Sequence, residues 1–351
     1  MLIKPVGWIA IIMLLMISCI KDPPLNPEAD IESFTIDKDL LLADVFIDQV
    51  NSKIVLHLTD DAYDSGFAPF ITTSAGATVT PASGDSIFFG GDTIHYVTRS
   101  QDGRYAKRYT VELASIGNWA FDFEHWEIQP TDKYAYPVED DGSMVWTTGN
   151  PGVALSGVSK DPSSYPTRST SDHMYGMKAA ELVTLKGTAL SGLVGIRLFA
   201  GSLFTGTFNS LNAFVNPLTA TEFGQPFAGR PRRFSGYFKY TAGSIFQDKE
   251  GNAVPGMKDS CSIYAVLFKG NTRLDGTNIN TSDRIVATAR LKTTGDHAQF
   301  TRFDIPFEYA TTAPLTGKHM MAIVVSSSQY GDTYRGAIGS RLVVDSLRII
   351  Y

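Results

Sequence analysis

Short apolar runs with a two-residue period, separated by clusters of glycine, proline, asparagine and aspartate, occupy the chain from Ile31 onward. No long segment keeps the 3.6-residue stripe of an amphipathic helix, so the rhythm predicts an all-β protein. Residues 31–36 and 54–58 alternate in the manner of half-buried strands. His57 falls on the outward phase of the second run and reads as a solvated strand residue. Residues 94–100 and 104–113 flank Gln101, Asp102 and Gly103, a hairpin signal because Asp-Gly accepts the positive φ of a tight turn. Further strands are predicted at 234–240, 263–268, 285–291, 300–307, 320–326 and 341–350, and another at 176–184. The spacing implies a β-sandwich over 31–115, followed by a larger sandwich of two antiparallel sheets, of jelly-roll type, over 116–351.

With 351 residues and 43% hydrophobic positions the chain can bury real cores. A net charge of −6 offers no basic footprint for a phosphate backbone, which excludes nucleic acid as a partner class. Cys19 and Cys261 lie too far apart in sequence to suggest a disulfide framework, and Cys261 reads as a small buried strand residue rather than a reactive thiol. At the amino terminus, Lys4 precedes a nearly unbroken apolar run from Trp8 to Ile17, then Ser18 and Cys19. That is a secretory signal, too short for a comfortable membrane span.

The run Leu15-Met16-Ile17-Ser18-Cys19 resembles the lipobox of bacterial lipoproteins. The resemblance implies a signal peptide over 1–18 and a lipid on Cys19. Each buried CH₂ of that lipid contributes about 0.8 kcal/mol of anchoring. Pro23, Pro24 and Pro27 make 19–30 an extended tether. Asp22 and Glu28 resemble the acidic segment of Bacteroidetes lipoproteins sent to the outer surface, so the expected location is the outer membrane, on the cell-surface side, with the periplasmic face left open.

The densest chemistry lies in 118–152, where Trp119, Trp126, Trp146, Tyr134 and Tyr136 are interleaved with Asp, Glu, Asn, Gly and Pro. Aromatics outside any apolar period suggest a partly open surface suited to a flat hydroxylated ligand. A sugar site needs an aromatic face and planar polar groups. Trp146, Trp126 and Asn150 supply both kinds, with Tyr165, Tyr334 and Arg335 converging from other loops; a core role for each tryptophan stays open. The enzymatic alternative, a glycosidase with two carboxylates, would draw on Asp122, Glu124 and Glu127, with Asp122 and Glu124 on one face of a strand. His125 is an acid–base candidate without a visible partner, and Asp140 with Asp141 reads as a turn. Asp60, Asp61 and Asp64 read as a solvated loop rather than a calcium loop.

Three resemblances sharpen these expectations. Residues 75–84, 96–103 and 109–113 look like the immunoglobulin-like modules of Bacteroidetes surface lipoproteins, which implies a spacer over 31–115. Residues 121–124 and 342–347 are similar to carbohydrate-binding jelly rolls, which implies that first and last strands pair and that Glu124 and Asp345 hold a structural calcium, the one cofactor expected. The whole segment from Asn118 resembles the Bacteroidetes putative carbohydrate metabolism domain, through 121–124, Trp126, 145–152, 200–206, 232–240 and 342–345. The implied protein is a lipid-anchored surface glycan binder. Its partners would be an oligosaccharide or polysaccharide, outer-membrane lipid through acylated Cys19, and other glycan-uptake proteins. A jelly-roll glycoside hydrolase and a structural or fimbrial subunit that uses exposed edge strands are the alternatives.

Overall fold

The computed structural model describes residues 24–59, 62, 65–89, 93–113, 119–140, 142–292 and 295–351. Cys19 and Asp60, Asp61, Asp64 and Asp141 lie outside them. The architecture is nearly all β, as the alternation predicts, with short α-helices among the described residues at Asn150–Ala154, Ala189–Leu193, Ser210–Val215 and Pro217–Ala220.

The amino-terminal module has its own core, in which Ile31, Phe34, Ile54, Leu56, Tyr96 and Tyr109 are buried. One sheet runs in the order Leu41–Asp48, Lys53–Leu58, Ala106–Leu113, His95–Arg99, Thr78–Thr80, and a second pairs Ile31–Thr35 with Phe70–Thr73. The hairpin read from Asp102 and Gly103 is present: His95–Arg99 and Ala106–Leu113 pair antiparallel, and Gly103 takes φ 72°. His57 departs from expectation, being only 2% exposed. It pairs with Ala43, whose side chain packs into an apolar cluster of the larger module. The outer face of this sheet is therefore covered where His57 and Ala43 lie, and the phase that alternation assigns to solvent is buried there.

In the larger module, Thr167–Thr170, Ala179–Val183, Arg341–Ile350, Arg233–Thr241 and His297–Pro306 lie side by side in a six-stranded sheet. Ala120–Phe121 completes it by pairing antiparallel with Arg341–Ile350, so the first and last strands meet as the jelly-roll resemblance implies. The facing nine-stranded sheet is centred on Ser202–Phe208, His319–Ser326, Ser262–Lys269 and Ile285–Arg290. Between them sits one core, with Leu182, Phe238, Phe303, Val344 and Leu347 meeting Leu203, Ile263, Leu267, Ile323 and Val325. Cys261 is 4% exposed at its edge, and burial pushes its thiol up to about 12. That keeps it in the unreactive protonated form.

The two sheets differ in what covers their outer faces, and the sequence carries the reason. His319–Ser326 and Ser262–Lys269 are continuously apolar, the pattern of strands buried on both sides. Their outer side chains, among them Tyr264, Phe268, Met320 and Ala322, pack against Leu274, Ile279 and Ala43 of the first module. Polar ties reinforce that junction: the Arg273 guanidinium donates to the Asp44 carbonyl at 3.3 Å and Lys318 Nζ to the Leu41 carbonyl at 2.7 Å. Arg233–Thr241, by contrast, alternates polar with apolar. The six-stranded sheet therefore keeps a polar outer face.

Candidate functional site

That polar face is generated by strand alternation. Phe234 and Phe238 enter the core, which turns Arg233, Tyr237 and Lys239 outward. Phe303 does the same for Arg302 and Asp304, and Leu342 and Val344 for Arg341. In Arg341–Ile350 an extra residue breaks the register, since Tyr237 pairs with Asp345 but Ser235 with Arg348. Ser346 absorbs the bulge at φ 51°. The bulge leaves Asp345 fully buried, beneath a segment that crosses the sheet.

That segment, 171–178, connects Thr167–Thr170 to Ala179–Val183 and is held down by three carboxylates. Asp345 Oδ2 accepts the backbone N–H of Met174 at 2.7 Å and of Tyr175 at 3.0 Å. Glu124 accepts the N–H of Met177 at 2.9 and 3.0 Å and of Lys178 at 3.2 Å. Asp172 takes Lys239 Nζ at 2.8 Å and the Arg341 guanidinium at 3.2 Å. Burial works to raise the Asp172 carboxyl, but the hydrogen bonds and charges of Lys239 and Arg341 outweigh it and hold it below the usual carboxylate range. Gly176 is required here: its φ is +69°, and a Cβ would stand 1.9 Å from Glu124 Oε1.

The anchored segment presents an aromatic pair. Tyr175, 53% exposed, meets Tyr237 edge-on with ring centroids 5.3 Å apart at 78° and hydroxyls 3.2 Å apart. The hydrogen bond with Tyr237 raises the Tyr175 phenol above its ordinary value. Around the pair, Glu181 is gripped by Arg168 Nε at 2.7 Å and Arg341 Nε at 2.6 Å. One guanidinium, that of Arg341, thus bridges Glu181 and Asp172. Aromatic edges, planar guanidinium groups and carboxylates together are what holding a ring with hydroxyl substituents requires.

The residues singled out from sequence are placed differently. Trp146, 1% exposed, is a core plug packed edge-on against Phe121 at 5.0 Å and tilted against Phe123 at 5.3 Å. Asn150 is fully buried and braces the ends of two strands: its Nδ2 donates to the carbonyls of Ala135 and Thr167, and its Oδ1 accepts the Thr167 N–H. Tyr165, 1% exposed, gives its hydroxyl to the Asp132 carbonyl at 2.6 Å. Trp126 is half-buried, its Nε1–H on the Phe123 carbonyl at 2.7 Å. Tyr334 sits in the left-handed region at φ 56°, with burial raising its phenol, and Arg335 stacks over Tyr330 at 4.6 Å. These side chains do not converge on one surface.

The carboxylates are likewise redistributed. The strand ends at Phe121 and Phe123 takes φ 60°, so Asp122 and Glu124 do not share a strand face; Asp122 instead accepts the Glu124 N–H at 3.2 Å. Glu127 accepts the Tyr136 hydroxyl at 2.7 Å, and His125 has a partner after all, Asp140 at 3.1 Å. Glu124 and Asp345 do not fit a resident calcium. Their oxygens receive N–H donors, and among the described residues no cluster of three or more acidic, histidine or cysteine side chains could hold a metal. Tyr134, Tyr136 and Trp146 do line a cleft of about 40 Å³ against Phe46, Asp48 and Asn51 of the first module, but all three rings are at least nine-tenths buried and offer no stacking face.

Tyr175, Tyr237 and the charges around them escaped the sequence reading. The available signal was the outward phase of 233–241, which carries Arg233, Tyr237 and Lys239.

Residues 122–350 match the family described as putative carbohydrate metabolism domain. The chain belongs to this family. Among solved structures it is similar to a putative glycoside hydrolase from Bacteroides thetaiotaomicron, 34% identical, with a TM-score of 0.84 over 94% of this chain and 98% of the other. It is also similar to one from Bacteroides vulgatus, 33% identical, with a TM-score of 0.61 over 66% of this chain and 98% of the other. The first similarity runs through both modules. No curated protein matches the chain. The larger module is thus a carbohydrate-metabolism-related domain.

Proposed function

We propose that this protein is a lipid-anchored glycan-capture protein of the outer membrane, and that it binds its glycan on the outer face of the six-stranded sheet. The observation that carries the reading is the exposed Tyr175–Tyr237 pair set among guanidinium and carboxylate groups on a sheet face that no other layer of the described residues covers. Family membership supports a glycan as ligand. On a glycan array, and by affinity electrophoresis, the full chain should retain at least one polysaccharide. Tyr237→Ala should weaken retention about tenfold with an unchanged melting temperature. Equal retention by that variant rejects this face.

Hydrolysis is the second reading, favoured by the description of both similar structures as glycoside hydrolases. A glycosidase's general acid needs a carboxyl held above its ordinary range, whereas Asp172 is held below it and Glu181 lies between two guanidinium groups. Capture is therefore the better fit. Release of reducing sugar, lost in Glu181→Gln, would reverse that preference.

Anchoring rests on Ser18 and Cys19 after the apolar run. The full chain should partition into the detergent phase of a cloud-point extraction, and Cys19→Ala should move it to the aqueous phase. A wild-type chain found in the aqueous phase would reject the anchor.

A further inference from the structure

The register of the six-stranded sheet arranges its outward side chains in transverse rows. One row reads Arg168, Glu181, Val343, Lys239; the next Asp345, Tyr237, Arg302; the third Arg348, Ser235, Asp304. Adding Arg233 and Arg341 gives six cations on this face, in a chain whose overall charge is −6. The carboxylates that could neutralise them are already committed. Glu181 and Asp172 each serve two cations, and Asp345 is spent on backbone N–H groups. Asp304 is held by Arg233 at 2.5 Å, leaving Arg302 a longer contact of 3.6 Å and a side chain 62% exposed. Arg348 is exposed, and its side chain has no hydrogen bond or ion pair among the described residues. Leu347 and Ile349 point into the core, so Arg348 projects from the same outer face.

We propose that the glycan bound here is anionic, carrying carboxylate or sulfate groups that Arg302 and Arg348 receive. This rests on the capture reading above and names the ligand class for it. A guanidinium presents a planar fork of donors matched to such oxyanions. Arg302 stands beside Tyr237 in the register and Arg348 lies one row on, so a sugar ring against the tyrosines would bring its acidic substituents to one guanidinium held only by a long ion pair and to another that is unpaired among the described residues. The two conserve their charge for an incoming ligand because their nearest carboxylates are occupied. The negative charge of the rest of the chain repels polyanions elsewhere, which confines such binding to this face.

Affinity electrophoresis of the full chain through gels containing polygalacturonate, dextran sulfate or neutral dextran tests the assignment. The expected result is retardation by polygalacturonate or dextran sulfate, whichever group the site takes, at least tenfold stronger than by dextran. That retardation should weaken with added salt and fall at least tenfold in Arg302→Gln/Arg348→Gln at an unchanged melting temperature. Equal retention of neutral dextran, or full retention of the polyanion by the double variant, overturns the anionic assignment. Binding confined to neutral glycans on the array and lost in Tyr237→Ala overturns it too, while leaving glycan capture standing. If no glycan of either kind is retained, both fall.

Discussion

Replacing Trp146 with alanine should lower the unfolding free energy by about 3–5 kcal/mol, the usual consequence of emptying a large aromatic site in a core. Domains of this kind are stable by only about 5–15 kcal/mol, so the variant should populate unfolded molecules at moderate temperature. The size of the effect follows from placement. The ring is 1% exposed and lies among Phe121, Phe123 and the core strands, where little can collapse into the space. Phenylalanine should be far milder, since it keeps an aromatic body and the Nε1–H has no protein partner to lose. Urea unfolding followed by circular dichroism measures both, and an unchanged midpoint for Trp146→Ala would refute the core assignment. Any loss of glycan retention in that variant should follow its loss of folded protein.

The second large effect is expected at Asp345, where alanine should cost about 2–4 kcal/mol. Its carboxylate is fully buried and accepts the N–H groups of Met174 and Tyr175 together with the Ser346 hydroxyl at 3.0 Å. Hydrogen bonds to a charged acceptor are worth roughly 1.5–3 kcal/mol each, and donors left buried without one are costly. Amide hydrogen exchange should therefore rise at 174–178 before the sheet itself opens. The tether's carboxylate oxygens accept backbone N–H groups, so a chelator should leave the wild-type melting temperature unchanged; a chelator-sensitive melting temperature would restore calcium to Glu124 and Asp345. Acid should loosen the same segment through Asp172. Its carboxyl is depressed in the folded state, so its contribution is complete above the unfolded value of about 3.9 and is lost as pH falls through the lower folded value. Exchange protection at 172–178 that was insensitive to acid in the wild type would contradict this.

Much of the fold is written in local alternation. The strands at 233–241 and 297–306 appear where two-residue periodicity places them, and those at 262–269 and 319–326 where short unbroken apolar runs do. The pairing of the first and last strands follows instead from the resemblance of 121–124 and 342–347 to carbohydrate-binding jelly rolls. His57 was misjudged because the neighbour that buries it, the larger module around Ala43, is remote in sequence. The tryptophans misled for the same reason. Polar neighbours in 118–152 suggested exposure, yet Trp146 follows Val145 into the core, and the carboxylates beside it serve to cap turns and tether a distant loop.

What the sequence by itself determined is the all-β class and the strand positions, while the lipoprotein signal at Cys19 stands as a proposal to be tested. Those depend on patterns spanning a few residues. The tertiary structure alone decided which sheet face stays open, which aromatics reach it and which carboxylates are already spent. Tyr175 meets Tyr237 across 62 residues, and Asp345 reaches the loop at Met174 across 171. Contacts of that span are set by strand order and by a bulge at Ser346, and neither can be read from local alternation.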